Sequence, residues 1–438
     1  MKTRHLHPAP GLPTLALALT LTLTLTLPLH QPLATQAASD WPSWRGPEGH
    51  GGTVSAGPGQ WSATDLAWKL PLPGKGTSTP VLLDGNLILT SPLDGEDAVL
   101  AVSPDGRLLW QTRLGAHVNP KHRSLASGCN ASPVTDGRTL FVHFKSGNFA
   151  ALNPDGSLRW KTNLVERFGQ ERLFWDSGSS PVVTDQHVII ARLHQGESWL
   201  AAFDKATGRL AWRQTRQFTA PTENDNGYAT PVRFQHRGEP ALLVWGADHL
   251  TAHRATDGQL LWTAAGFNPE GTGYWPAIAT PVVAGDLVVV PVGRDDRPNQ
   301  ARTQAIRLGG SGDVTATHQA WKRDDVGVFV ASPAVHDGRL YLLRHRGEVA
   351  CLDPATGRTL WTGSLPPSSS PYYASPIVAG GILHAAREDG TIFSARVGPS
   401  FELLSENRLG ERIIATPVAA AGRLYFRGDA HLFCVARR

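Results

Sequence analysis

Residues 331–361 read Ala331-Ser332-Pro333, AVHDGRLYLL (334–343), RHRGEVACLDPATG (344–357) and RTLW (358–361), and this unit decides the fold. Proline donates no ladder hydrogen bond, so Pro333 suits the first residue of an edge strand. Asp337-Gly338 closes a tight hairpin, because glycine takes positive φ without strain. A second turn at Arg346-Gly347 leads into a third strand carrying Val349, Ala350 and Leu352. Asp353-Pro354-Ala355-Thr356-Gly357 then turns the chain into a fourth strand that ends at Trp361. The unit is four short antiparallel strands.

Its opening phrase recurs eight times: Ser78-Thr79-Pro80, Ala131-Ser132-Pro133, Ser179-Ser180-Pro181, Ala229-Thr230-Pro231, Ala279-Thr280-Pro281, Ala331-Ser332-Pro333, Ala374-Ser375-Pro376 and Ala415-Thr416-Pro417. Prolines 41 to 53 residues apart match the length of a propeller blade. The innermost strand of a blade is an edge lining the central channel, which suits the prolines. Tryptophans 110, 160, 212, 262, 321 and 361 end the outer strands, where each ring can wedge between one blade and the next. The last repeat stops at Arg438 without a fourth strand, while an orphan strand, Leu66-Ala67-Trp68-Lys69-Leu70, stands before the first repeat. The expected fold is all-β: a propeller of four-stranded blades, closed by this N-terminal strand completing the last blade. Seven or eight blades fit, and eight is the count adopted.

Composition sets the class. With Gly 45 and Pro 33 in 438 residues, the chain suits a turn-rich β protein. Residues 1–39 read as a secretory signal peptide: Lys2 and Arg4, an apolar run from Leu15 to Leu29, then Ala37-Ala38-Ser39. That leaves residues 40–438 as one propeller domain. Losing Lys2 and Arg4 lowers the formal charge from +4 to +2, which argues against a nucleic-acid partner. Lys121-His122-Arg123 is read as a solvated loop. Cys129 reads as a free loop thiol, and Cys351 and Cys434, at equivalent third-strand positions of non-adjacent blades, read as small buried residues. No cysteine precedes Cys129, so there is no lipid attachment site. The expectation is an exported protein, periplasmic or secreted, monomeric, with no transmembrane segment in the mature chain.

Ala202-Phe203-Asp204-Lys205-Ala206-Thr207-Gly208-Arg209-Leu210-Ala211-Trp212 resembles the pyrroloquinoline quinone (PQQ)-like propeller repeat. The likeness covers residues 41–438. Trp41-Pro42-Ser43-Trp44-Arg45-Gly46-Pro47 and Gly312-Asp313-Val314-Thr315-Ala316-Thr317-His318 are similar to a secreted bacterial subfamily. Two family roles follow as implications. One is oxidation of alcohols or sugars with PQQ and calcium; the other is BamB-type scaffolding of outer-membrane barrel assembly. The first implies a vicinal cysteine pair against the cofactor, and this chain has no adjacent cysteines. The second implies a lipidated cysteine, also missing.

Loops preceding the innermost strands gather at one mouth of the channel, and here they are rich in aromatic and polar residues. They supply the candidate ligand-binding set: Trp175 and Asp176; Asn224, Asp225 and Tyr228; Tyr274 and Trp275; Asp324 and Asp325; and Tyr373. No serine-hydrolase elbow, zinc-binding His-Glu-x-x-His or phosphate loop occurs. Histidines such as His143, His345 and His384 read as strand residues, and Asp94-Gly95-Glu96-Asp97 as a solvated hairpin tip. No metal site and no catalytic residue is assigned. The expectation is a non-catalytic propeller that binds a protein, peptide or glycan at the mouth. The alternative is a PQQ- and calcium-dependent dehydrogenase with Trp175, Trp275 and Asp324 in its site. A polysaccharide-active enzyme would need two carboxylates facing across the mouth.

Overall fold

The computed structural model describes residues 1, 3, 41–122 and 124–436, so the leader expected over residues 1–39 lies outside them. Eight four-stranded antiparallel sheets form the blades. Blade 1 comprises Val81–Leu83, Asn86–Leu93, Glu96–Val102 and Leu108–Ala116. Blade 6, the unit read first above, comprises Ala334–His336, Arg339–Leu343, Glu348–Leu352 and Thr359–Ser364. Blade 8 takes three strands from the C-terminal repeat, and its outer strand is Leu66–Pro71. There Trp68 pairs with Cys434 and Lys69 with Phe433, so the two ends of the chain share one ladder, as expected.

The recurrent hydroxyl has a physical reason that spacing could not supply. In seven of the eight repeats the Ser/Thr backbone N–H donates to the hydroxyl of the next repeat. Thr79 donates to Ser132, Ser132 to Ser180, Ser180 to Thr230, Thr230 to Thr280, Thr280 to Ser332, Ser332 to Ser375, and Thr416 to Thr79, at 2.9–3.2 Å. These residues are buried or nearly so, so each bond keeps an otherwise orphaned amide satisfied. The hydroxyl of Thr416 instead accepts from Trp44 Nε1 at 2.9 Å, where the N-terminal segment enters the ring.

At the outer edge, the terminal tryptophans join neighbouring blades through the turn of the following repeat. Trp160 Nε1 donates to Lys205 O at 2.8 Å, and Gly208 lies so close over the indole that a Cβ there would sit 2.6 Å from it. Trp68 with Pro104 and Gly106, Trp110 with Pro154 and Gly156, and Trp321 with Pro354 and Gly357 repeat the arrangement. Gly208 also has φ +69°, so glycine is required there twice over. Trp262 departs from the pattern. Gly312–Asp313 adds a short parallel strand beside it, Trp262 is fully buried, and its indole N–H has no partner among the described residues. The apolar cores lie between adjacent blades, as in the cluster of Val99, Leu140, Val142 and Phe144 joining blades 1 and 2.

Residues 41–53 fold back against the inner strands of the ring. Trp41 is fully buried among blades 7, 8 and 1. Arg45, also buried, donates to Pro376 O at 3.0 Å and Pro333 O at 2.5 Å, and burial lowers its pKa to about 9. Gly52–Thr53 pairs in parallel with the inner strand Ile377–Ala379 of blade 7. The three cysteines are free and buried, and burial raises their thiol pKa values.

Candidate binding site at the channel mouth

The loops that precede the innermost strands surround a cavity of about 530 Å³, whose wall includes Thr79, Ser132, Ser180, Ser375 and Thr416 of the hydroxyl ring. Trp44 lines this cavity and also the space on the other side, so the N-terminal segment forms the partition between them. Of the expected residues, Trp175, Asp176, Tyr228 and Tyr373 line the cavity together, though they come from different repeats. Tyr228 Oη accepts the Trp175 backbone N–H at 3.0 Å, fixing the two aromatics against one another, and burial raises the phenol pKa. Asp176 is buried, ion-paired with Lys145, and accepts the Lys121 backbone N–H at 2.9 Å.

The remaining six are placed elsewhere. Asn224 is fully buried and acts as a tie: its amide donates to Asp248 and Thr272 O, and its carbonyl accepts the Trp275 N–H at 2.7 Å. Trp275 is core, with Nε1 on Gln300 and the Arg302 guanidinium 4.7 Å above its ring. Tyr274 is exposed, with φ +64°. Asp225 is half-buried, bonded to the Asn226 amide, and burial raises its pKa. Asp324 is held by Arg302 and Lys322, each at 3.1 Å. Asp325 meets both arms of Arg323 at 2.7 Å, which lowers its pKa. Asp176, Asp324 and Asp325 are already matched by cations, Asp324 and Asp325 lie outside this cavity, and Trp275 is no cavity floor. This donor set does not fit the PQQ and calcium site of the alternative.

Sequence reasoning missed wall residues, among them Trp44, Arg294, Asp296, Phe329 and His345. Strand direction could have found part of this set. In an antiparallel blade the turn between the second and third strands opens on the same side as the loop before the first. Arg294 and Asp296 occupy that turn in blade 5, and His345 occupies it in blade 6. His345 therefore follows the strand Arg339–Leu343 rather than lying in it. Arg294 lies 4.2 Å from the Phe329 ring and forms a fork with Asp296, at 2.9 and 2.6 Å. Beneath them, buried Asp295 accepts the backbone N–H groups of Phe329 (3.0 Å) and His345 (2.6 Å), tying blade 5 to blade 6.

Two loop expectations also change. His122 is not simply solvated, since its ring lies 4.2 Å from that of Trp175 and extends the aromatic wall. Asp94 and Glu96 are at the surface on Arg113, but Asp97 is fully buried, accepting from His117, Ser146 and Asn148. Asp97, His117 and Cys129 hold ligand-type atoms within 4.8 Å of one another. With its carboxylate already saturated by donors, this cluster reads as a structural link between blades 1 and 2.

Eight blades of this repeat, joined by tryptophan and glycine contacts and closed by an N-terminal strand, define a PQQ-like propeller. The chain matches the family described as outer membrane protein assembly factor BamB over residues 50–225 and 310–397, more than half its length, and belongs to that family. It is 26% identical over 285 residues to BamB of Yersinia pestis, covering 62% of this chain and 63% of that protein's length. The fold resembles BamB from Moraxella catarrhalis, with a TM-score of 0.59 and 14% identity over 85% of this chain and 97% of that one. It is equally similar to a quinohemoprotein alcohol dehydrogenase from Comamonas testosteroni, with a TM-score of 0.61 and 13% identity over 91% of this chain and 81% of that one. Fold alone therefore does not separate a scaffold from a dehydrogenase.

Proposed function

We propose that this protein is exported with loss of residues 1–39 and acts outside the inner membrane as a non-catalytic scaffold that binds a protein segment in its channel mouth. The carrying observation is the chemistry of the 530 Å³ cavity. Trp44, Trp175, Tyr228, Phe329 and Tyr373 converge there from separate parts of the chain, while Asp176 and Asp296 are paired with Lys145 and Arg294. Aromatic surface, buried at Tyr228 and half-buried at the other four, set beside ion-paired carboxylates has the composition of an anchor pocket for an interface side chain. Glycoside hydrolysis needs two working carboxylates. Among the described residues lining the cavity, only the carboxylate of Glu223 has no ion pair.

Kinship to an assembly factor adds support for a protein partner and an envelope location. Among the described residues no helix is long and apolar enough to cross a membrane. The test is co-purification from cells that make the protein. Trp175→Ala with Tyr373→Ala should abolish recovery of a stoichiometric protein partner, while Asp325→Ala retains it. Recovery unaffected by the mouth variants would contradict the reading.

A further inference from the structure

Four blades show how an inner edge of this ring is filled, and in two of the other four, blades 3 and 4, the same groups are open beside a cavity. In blades 1, 2, 6 and 7 the amide two residues after the inner proline is satisfied by the N-terminal segment. Leu82 N donates to Trp41 O at 2.9 Å, Thr135 N to Pro42 O at 2.9 Å, Val335 N to His50 O at 3.1 Å and Val378 N to Gly51 O at 2.8 Å. Consecutive carbonyls thus serve neighbouring blades, one residue per blade. Arg45 fills the matching acceptors of blades 6 and 7, the carbonyls of Pro333 and Pro376.

Between residues 43 and 49 the segment crosses from blade 2 to blade 6. The equivalent amides of blades 3 and 4 are those of Val183 and Arg233, and no described residue accepts from either. Thr184 N is engaged within its own hairpin, on His187 O, and successive strand amides point to opposite edges, so the Val183 amide faces the channel. The equivalent carbonyls, of Pro181 and Pro231, receive no donor among the described residues. All four residues line a cavity of about 720 Å³ beside the N-terminal segment, within the size range of ligand pockets. Glu48 and Asp185 add exposed carboxylates to its wall, with no ion pair among the described residues.

We propose that this cavity, on the far side of the partition from the mouth, binds an extended, arginine-bearing segment of a partner protein. Its consecutive backbone carbonyls accept from the amides of Val183 and Arg233, and its guanidinium donates to the carbonyls of Pro181 and Pro231. The segment would cross the inner edges one residue per blade, using the main-chain recognition of unpaired strand edges, and the protein's own N-terminal segment is the template for it.

The test is calorimetric titration of the protein with an acetylated, amidated peptide of residues 41–53, and with the same peptide carrying Arg45→Ala. The expected result is saturable one-to-one binding that weakens about tenfold or more for the alanine peptide, since a charged hydrogen-bonding group is lost. Val183→Pro in the protein removes the free donor without breaking a ladder bond and should weaken binding similarly. Trp175→Ala, at the mouth, should leave it unchanged. No saturable heat, equal affinity of the two peptides, or loss through Trp175→Ala would overturn the proposal. If Val183→Pro does not fold, the peptide pair decides alone, and the result is independent of whether the mouth binds a partner.

Discussion

Replacing Trp160 separates the two components of the joint between blades 2 and 3. Trp160→Phe keeps a ring over Gly208 and between Phe141 and Phe149 but loses the 2.8 Å bond to Lys205 O. That change should cost about 1 kcal/mol, the net worth of a hydrogen bond whose acceptor can still find water at a half-exposed edge. Trp160→Ala removes the wedge as well. Full burial would make this about 3–5 kcal/mol, and the partial exposure of Trp160 reduces it to about 2–4 kcal/mol. At about 2.1 cal/mol/K of unfolding entropy per residue over about 400 residues, each kcal/mol moves Tm by only about 1 °C. Urea unfolding followed by tryptophan fluorescence and circular dichroism is therefore the better assay, with stability taken from midpoint and slope. Equal losses from Phe and Ala would refute packing as the main component. No loss from Ala would refute the blade-joining role altogether.

Other expectations follow from the same geometry. Ser332→Ala strips the acceptor from the buried Thr280 amide and should cost about 1–3 kcal/mol by urea unfolding, whereas Ser332→Thr, which restores the hydroxyl, should be close to neutral. His143 and His384 are buried neutral, with pKa values lowered to about 3 by desolvation, so the unfolded chain binds their protons first as pH falls. Stability should be full above the unfolded value of about 6.5 and decline between there and pH 3, by up to about 1.4 kcal/mol per pH unit for each histidine. Melting at pH 7 and pH 5 checks the sign, and His384→Gln should flatten the dependence. Asp325→Ala should leave Tm unchanged, since its partner Arg323 also bonds Gly357 O and Thr359. Titration with PQQ in calcium should give no saturable heat; one-to-one binding abolished by a chelator would revive the dehydrogenase alternative. Intact-mass measurement of the exported protein should give a chain beginning at Asp40.

Blade count, closure and the identity of the mouth loops were legible because each is a matter of period and strand direction. The prolines, the Asp-Gly hairpins and the orphan strand at Trp68 carry local physical reasons, and those reasons hold wherever the repeat places them. What failed was the fate of individual polar residues. Asn224, Asp324 and Asp325 belong to the loop class that forms sites, but their partners, Asp248, Arg302 and Arg323, arrive from other strands and turns. The same limit hid Arg294 and His345, which reach the mouth from second-to-third-strand turns. Trp44 was read only as part of a resemblance, because nothing local says that residues 41–53 fold back into the channel.

The central claim is that the aromatic mouth, and not the outer wall of a blade, receives a protein partner. A photo-crosslinking residue at Tyr373, with a control at the exposed Leu403 of the outer strand of blade 7, tests this in living cells. The account predicts a discrete protein adduct from position 373, lost when Trp175→Ala is added, and none from position 403. Adducts from 403 alone, or adducts from 373 that survive the loss of Trp175, would contradict it.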